Sequence, residues 1–296
     1  MKLLIIFNPN AAYGRSVKKL AAIKAKFDSL GISTKFEATT HPGHGCELVA
    51  NTELSDFDGL VAAGGDGTVF EVLNGLYKHP KAGRIPLGLL PIGTGNAFAR
   101  DLELQPGAWS DAIDLLQRGR TREVDVGFVK SAKELYYFLN IVGMGFSVDA
   151  GKSAQKLKFF GNTAYTLATL WQVLKLKSYP LVMDIDGKTI HSNNVFVSIS
   201  NTRYTGTHFL IAPDAVLDDG LLDVTILENL PRFRLLKLFP SIYSGRHVEY
   251  KEISTFKAAH VDICAPESML LGPDGEFSGS SPAEISCLHR DLNIFF

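Results

Sequence analysis

Apolar residues along this chain come in two rhythms, and the change falls near residue 126. In the first stretch, short apolar runs alternate with helical patterns. Residues 3–7, 35–38, 59–63 and 87–92 read as strands. Three of them, 3–7, 59–63 and 87–92, are apolar nearly throughout, as strands covered on both faces must be. Residues 16–30 read as a helix with Val17, Leu20, Phe27 and Leu30 near one face, Ser16 as cap and Gly31 as terminator. Residues 46–52, 69–77, 97–102 and 110–118 read as further helices. Strand and helix in alternation at this spacing predict an α/β domain built on a parallel sheet.

Beyond residue 125 the strand rhythm dominates. Residues 128–130, 136–142, 181–185, 194–200, 222–227 and 261–264 read as strands, with Asp186-Gly187 as a hairpin turn. Helical patterns interrupt only at 163–175 and 231–243. This half predicts a mostly antiparallel β-sandwich or open barrel. The expected domains are therefore 1–126 and 127–288, with residues 289–296 returning a last strand to the first domain.

Composition changes this picture little. Hydrophobic residues at 46% and charged residues at 21% are those of an ordinary folded chain. A net charge of -1 gives no global reason to expect a nucleic-acid partner. Cys46, Cys264 and Cys287 are odd in number, widely spaced and without a CxxC. A disulfide framework or structural zinc is not expected, and a reducing cytoplasm is. The opening MKLLIIF is too short an apolar run for a secretion signal and lacks a small-residue cleavage site. No stretch approaches the ~20 apolar residues of a membrane span. Any membrane contact is expected to be peripheral, at the inner face.

Three polar turns follow apolar strands and precede helices: Asn8-Pro9-Asn10-Ala11-Ala12-Tyr13-Gly14-Arg15, Gly64-Gly65-Asp66-Gly67-Thr68, and Pro91-Ile92-Gly93-Thr94-Gly95-Asn96. In an open parallel sheet, ligands bind at these carboxyl ends of strands. Glycines let the backbone approach a ligand, and the N–H groups of a helix start face anions. Thr68, Thr94 and Asn96 can add side-chain hydrogen bonds. Tight turns alone would also use glycine, but three such loops together point to a polyphosphate site. The pattern is neither GxxxxGK[ST] nor GxGxxG. Asp66 among phosphates suits a magnesium ion, or a contact to the group being phosphorylated.

These segments resemble the diacylglycerol kinase catalytic-domain family. Gly64-Gly-Asp-Gly-Thr68 with Glu71 and Asn74-Gly75 is similar to its GGDGTxxEvlNG signature. Leu90 to Arg100 is similar to its LPxGTxNdfAR segment, and Asn8-Pro9 to Gly14 to its NPxsG turn. In the second half, Asp218-Asp-Gly-Leu-Leu-Asp223 resembles DDGxLd, and Asp274-Gly275-Glu276 its DGE motif. The nearest group is that of soluble bacterial-type lipid kinases, related to sphingosine and ceramide kinases. The resemblance implies an N-terminal nucleotide domain, a C-terminal β-sandwich, and ATP- and magnesium-dependent transfer to a lipid hydroxyl in the cleft between the domains. It places nucleotide contacts on Asn8, Pro9, Asn10, Ala11, Ala12, Thr39, Gly64, Gly65, Asp66, Gly67, Thr68, Glu71 and Thr94. It places the proton acceptor on Glu276. It places a structural Mg2+ on Asp219 with the carbonyls of Val216 and Leu221. Ala11-Ala12-Tyr13 departs from the family's first loop, so Ala11 and Ala12 would act through backbone.

Asp274 and Glu276 flank Gly275 and can reach one site. Glu276 is expected to take the acceptor's proton, while Asp274 or Asp66 holds magnesium or orients the acceptor. His41 and His44 flank a turn without a third ligand at metal spacing. Lys152, Lys156, Lys158, Lys175 and Lys177, with Phe159 and Phe160, form either a solvated helix face or a docking surface for anionic lipid. The rival enzyme reading is an NAD kinase, which shares GGDGT; a non-catalytic nucleotide or lipid sensor is the rival outside enzymes. Monomer or homodimer is left open.

Overall fold

The structure, a computed structural model, describes residues 1–296 apart from 82–83, 106, 133, 157–172, 174, 207 and 266–267. Most of the helix expected over 163–175 lies outside the described residues, as do Lys158, Phe159, Phe160 and Trp171. The chain divides into two compact units. One comprises Met1–Val126, Tyr137–Leu139 and His289–Phe296; the other comprises Gly127–Tyr136 and Asn140–Leu288.

The first unit alternates β1 (Lys2–Phe7), α1 (Val17–Ser29), β2 (Ser33–Ala38), α2 (His44–Ala50), β3 (Gly59–Gly64), α3 (Asp66–Leu76), β4 (Leu87–Pro91), α4 (Ala97–Asp101) and α5 (Trp109–Arg118). Strands β2, β1, β3 and β4 lie side by side in that order, each pairing parallel. Leu3, Leu4, Ile5 and Ile6 are fully buried, and so is nearly all of β3. That double-sided burial is why these runs carry almost no polar residue. The final strand joins next to β4, with Ile294 opposite Leu87 in parallel. In α1 the buried residues are Ile23 and Phe27, whereas Val17 is 52% exposed. At 3.6 residues per turn, Val17 stands about 120° round the helix from Ile23, so it misses the buried face expected of it.

The second unit is mostly antiparallel, a β-sandwich. It holds β5 (Thr121–Ser131, begun in the first unit), β6 (Leu135–Phe138, which ends in the first unit), β7 (Ile141–Gly145), α6 (Phe146–Lys156), β8 (Tyr179–Ile185), β9 (Lys188–Ser200), β10 (Tyr204–Thr205), β11 (Phe209–Leu210) and β12 (Leu222–Glu228). Then come α7 (Arg232–Leu238), β13 (Ile253–Ala258), β14 (His260–Cys264), β15 (Gly272–Pro273) and β16 (Ala283–Phe295, which ends in the first unit). Long β9 pairs with β8 through its first half and with both β7 and β12 through its second. Asp186 and Gly187 have φ of 48° and 83°, the left-handed pair that a two-residue hairpin needs.

Two expected elements are broken. Residues 136–142 form β6 and β7 rather than one strand. Asn140 leaves the ladder because its carbonyl accepts from the Asn201 and Thr202 N–H groups at 2.7 and 3.3 Å. Residues 231–243 are α-helical only to Leu238 and continue as a 3-10 turn over Phe239–Tyr243. Pro240 has no N–H for the α-helical ladder. No helix among the described residues is long and apolar enough to cross a membrane.

Within the first unit, Asp291 of β16 gathers three donors. Its carboxylate accepts from the Tyr77 hydroxyl at 2.9 Å and the Arg84 guanidinium at 2.7 Å, and it also pairs with Lys81. The Arg84 guanidinium lies 3.9 Å over the Tyr77 ring, which stacks on Tyr137. Burial opposes ionisation of Asp291, but Lys81, the Tyr77 hydroxyl and Arg84 outweigh it and hold its carboxyl below the usual range. A depressed carboxyl stabilises above its unfolded pKa, and that contribution is lost as pH falls through the folded value. Asp291→Asn should therefore cost about 2 kcal/mol at neutral pH. The deficit should shrink only below about pH 4, a trend that urea unfolding across pH would trace.

Candidate functional site

The first turn is built by hydrogen bonds that leave little slack. Asn8 N–H donates to the Ala63 carbonyl at 2.9 Å, tying the end of β1 to β3. Asn8 Nδ2 donates to Thr68 Oγ1 at 3.0 Å, and Asn8 Oδ1 accepts from Asn10 N–H at 2.9 Å. Ser16, expected to cap α1, makes no capping bond and is fully buried. Its hydroxyl lies 2.9 and 2.8 Å from the Asn8 and Pro9 carbonyls and pins the turn instead. Ala12 and Tyr13 take φ of 50° and 58°. The Ala11 N–H donates to the Asn8 carbonyl at 3.2 Å, inside the turn.

The second and third turns touch backbone to backbone. A Cβ on Gly93 would fall 2.3 Å from Gly65 Cα and 2.6 Å from Gly65 N. No side chain fits there. The Gly93 and Ile92 N–H groups both donate to the Gly64 carbonyl, at 2.8 and 3.2 Å. Asp66, the first residue of α3, accepts the Ala97 N–H on Oδ1 at 2.7 Å and so joins the start of α3 to the start of α4. Asn96 is left-handed and donates to the Gly93 carbonyl at 2.9 Å. Thr94 is exposed, and Thr68 is buried. These bare turns at two helix starts fit phosphate oxygens, which need backbone N–H groups and close approach.

Two more of the expected contact residues are tied to neighbouring backbone. Glu71 accepts the Gly43 and Gly45 N–H groups at 2.7 and 2.8 Å, one on each oxygen, and fixes the beginning of α2. Thr39 is buried just past β2, its N–H bonded to the Phe7 carbonyl at 2.9 Å.

In the second unit, Pro273–Glu276 is a tight turn closed by Glu276 N–H on the Pro273 carbonyl at 2.7 Å. Asp274 and Gly275 both have positive φ, 46° and 86°, which the Asp-Gly pair tolerates. The two acids face different surroundings. Asp274 is 7% exposed, and its Oδ1 accepts the Asn140 and Ile141 N–H groups at 2.9 and 3.0 Å. Glu276 is exposed. Asp274 thus anchors the turn to β7, and Glu276 is the exposed acid of the pair.

The implied structural Mg2+ meets a different donor set from the one expected. Asp219 Oδ1 accepts the Leu221 N–H at 3.0 Å, and Oδ2 accepts from Lys257 Nζ at 3.1 Å. The same ammonium donates to the Asp214 carbonyl at 3.0 Å and lies 3.4 Å from Asp223. Val216 is an exposed loop residue. Burial raises the Asp223 carboxyl, while Lys257 beside it pulls the other way. With Lys257 in contact, part of the charge of the Asp219 carboxylate is already met by the ammonium. No group of three or more His, Cys, Asp or Glu that could hold a metal occurs among the described residues.

Sequence reasoning missed the residues that hold these turns. Ser16, Asn140 and the bonding role of Asn74 are examples. Asn74 donates to the Phe70 and Tyr137 carbonyls and accepts the Tyr137 N–H at 2.9 Å. The available signal was a lone amide inside an apolar pattern, as in Leu73-Asn74-Gly75 and Leu139-Asn140-Ile141.

Known proteins resemble the chain along its length. Residues 2–129 match the family model of the diacylglycerol kinase catalytic domain. Residues 140–296 match that of the YegS C-terminal NAD kinase beta sandwich-like domain. A protein of Bacillus subtilis (strain 168) named diacylglycerol kinase is 32% identical over 292 residues, covering 98% of this chain and 94% of its own. A Mycobacterium tuberculosis (strain CDC 1551 / Oshkosh) protein of the same name is 31% identical over 99% of this chain and 94% of its own. A crystal structure from Bacillus anthracis str. Sterne, provisionally named a diacylglycerol kinase, superposes with a TM-score of 0.83. Its identity is 26%, and it covers 100% of this chain and 95% of the other.

Two stability measurements probe this geometry. Gly93→Ala should cost about 3 kcal/mol through backbone overpacking. Gly65→Ala, whose added Cβ would lie 3.4 Å from Gly93 Cα, should cost clearly less in the same urea series. Lys257→Met leaves Asp219 and Asp223 without their cation. It should lower stability by about 1 kcal/mol, and millimolar Mg2+ should recover part of that in thermal unfolding.

Proposed function

Since the chain belongs to the diacylglycerol kinase family, we propose that it is an ATP-dependent lipid kinase. It transfers the γ-phosphate of ATP to the hydroxyl of diacylglycerol or a related lipid at a membrane surface. The observation that carries this reading is the Gly65–Gly93 contact, which holds the turns before α3 and α4 backbone to backbone. ATP, when bound, supplies the phosphoryl group, and the Mg2+ that accompanies it offsets phosphate charge.

The chain's own residues divide the work. Backbone of Gly64, Gly65, Gly67 and Thr68 receives phosphate oxygens, and Thr94 is exposed beside them. Asn8 orients Thr68 through its side-chain bond. Asp66 is a positioning residue, holding α4 against α3. Glu71 positions the loop before α2. Glu276 is the catalytic base: its carboxylate takes the proton of the lipid hydroxyl, the freed oxygen forms a bond to the γ-phosphorus, and the bond to ADP breaks. Asp274 fixes the turn that presents Glu276. No step is assigned to a metal on Asp219.

The test is transfer of labelled γ-phosphate from ATP into an organic extract, with a panel of lipids in mixed micelles and NAD in a parallel aqueous assay. Label in one lipid fraction is expected. Label in aqueous NADP would replace this reading with an NAD kinase. Glu276→Gln should lower turnover by about 10²–10⁴-fold while leaving ATP affinity unchanged; a fully active Gln variant would refute the base assignment.

A further inference from the structure

The segment between Glu228 and Glu249 contains no acidic residue and carries Arg232, Arg234, Lys237 and Arg246. In a chain of net charge -1, that makes it a concentrated block of positive charge. It is also apolar on two opposite sides. Leu235 and Leu238 of α7 are buried in the core of the second unit with Val195, Leu227 and Leu230. The outer side presents Phe233 at 82% exposure, Leu236 at 40% and, on the following 3-10 turn, Tyr243 at 54%.

A short helix whose inner stripe already satisfies its packing has no folding reason to place a phenylalanine outward. Phe233 and Leu236 are three residues apart and so lie on neighbouring positions of one face. Tyr243 is held in place by its ring, 5.1 Å from that of Phe209. Arg246 is exposed beyond Tyr243 and pairs with Glu249 at 3.4 Å, and Arg232 and Lys237 are exposed next to Phe233 and Leu236. Arg234 instead turns to Glu252, at 2.7 Å. The surface thus combines protruding apolar side chains, an aromatic with a polar tip, and cations at the rim.

We propose that this face of α7 and the turn after it docks on an anionic lipid bilayer. Phe233 and Leu236 enter the acyl boundary, Tyr243 sits at headgroup depth, and Arg232 and Lys237 meet lipid phosphates. A second copy of the chain is the less suitable occupant, because self-pairing would bring the cationic block towards its own like charge. The proposal rests on the reading that the acceptor is a lipid, but it places membrane contact on a surface outside the Lys152–Lys177 stretch.

The experiment is co-sedimentation with vesicles of phosphatidylcholine alone and of phosphatidylcholine with phosphatidylglycerol. Wild type should bind the anionic vesicles, lose binding in high salt, and bind neutral vesicles weakly. The double variant Phe233→Asp/Leu236→Asp should bind at least about tenfold less, while Phe233→Trp should retain binding. Both changes are at exposed positions, and thermal unfolding checks that the fold is kept. The double variant should still phosphorylate a short-chain diacylglycerol dissolved as monomers. Equal vesicle binding by wild type and double variant would overturn the proposal. So would a wild-type dimer that the double variant breaks into monomers, since the face would then be a contact between copies. Vesicle binding without phosphorylation of any lipid would support the docking face and overturn the lipid-kinase reading.

Discussion

Gly93 sits so close to Gly65 that a single methyl group would fall 2.3 Å from a backbone carbon. The candidate site follows from that contact. It brings the turn after β3 against the turn after β4. It also lets one carbonyl, that of Gly64, accept two N–H groups from the neighbouring turn. Asp66 completes the join by reaching the first N–H of α4. Two glycine-rich helix starts are thereby held side by side. That is what a polyphosphate requires, because its charge is met by many weak dipoles fixed in place and not by one strong ion.

Most of the acids that the sequence singles out serve architecture. Glu71 spends both oxygens on backbone N–H groups, Asp274 spends one on two of them, and Asp219 is shared between a backbone N–H and Lys257. A carboxylate bonded to backbone is a strong, directional tether that costs little when the N–H groups would otherwise lack partners. Glu276 differs from these in being exposed on a turn whose shape Asp274 maintains. The contrast between a buried anchor and an exposed acid, two residues apart, is what separates their proposed roles.

The second unit meets different demands. Several of its strands leave alternate positions open to solvent, so polar residues recur along β8, β9 and β13. Its interior admits Ser198, Ser200, Asn201 and Thr202 as buried polar residues close to Asn140. Thr202 donates to Asn140 Oδ1 at 3.3 Å, beside the backbone bonds that break the strand there. α7 is the element in which apolar residues exceed what packing uses, and its outer face is where a partner surface is inferred.

Much of this was legible in the sequence, for identifiable reasons. Strands β1, β3 and β4 were readable because burial on both faces forces an unbroken apolar run. The glycine turns were readable because backbone contact excludes every other residue type. The two-residue turn at Asp186-Gly187 was readable because few residues accept positive φ in succession. What could not be read were the partners of individual polar groups. The capping serine became a tether for Asn8 and Pro9, and the strand over 136–142 broke where Asn140 met Asp274 and Asn201. The expected metal ligand Asp219 acquired Lys257, 38 residues away. Local rules fix which backbone conformations and burial patterns a segment can hold. Which oxygen each N–H or ammonium finds depends on how sheets and turns stack, and only the tertiary structure decides that.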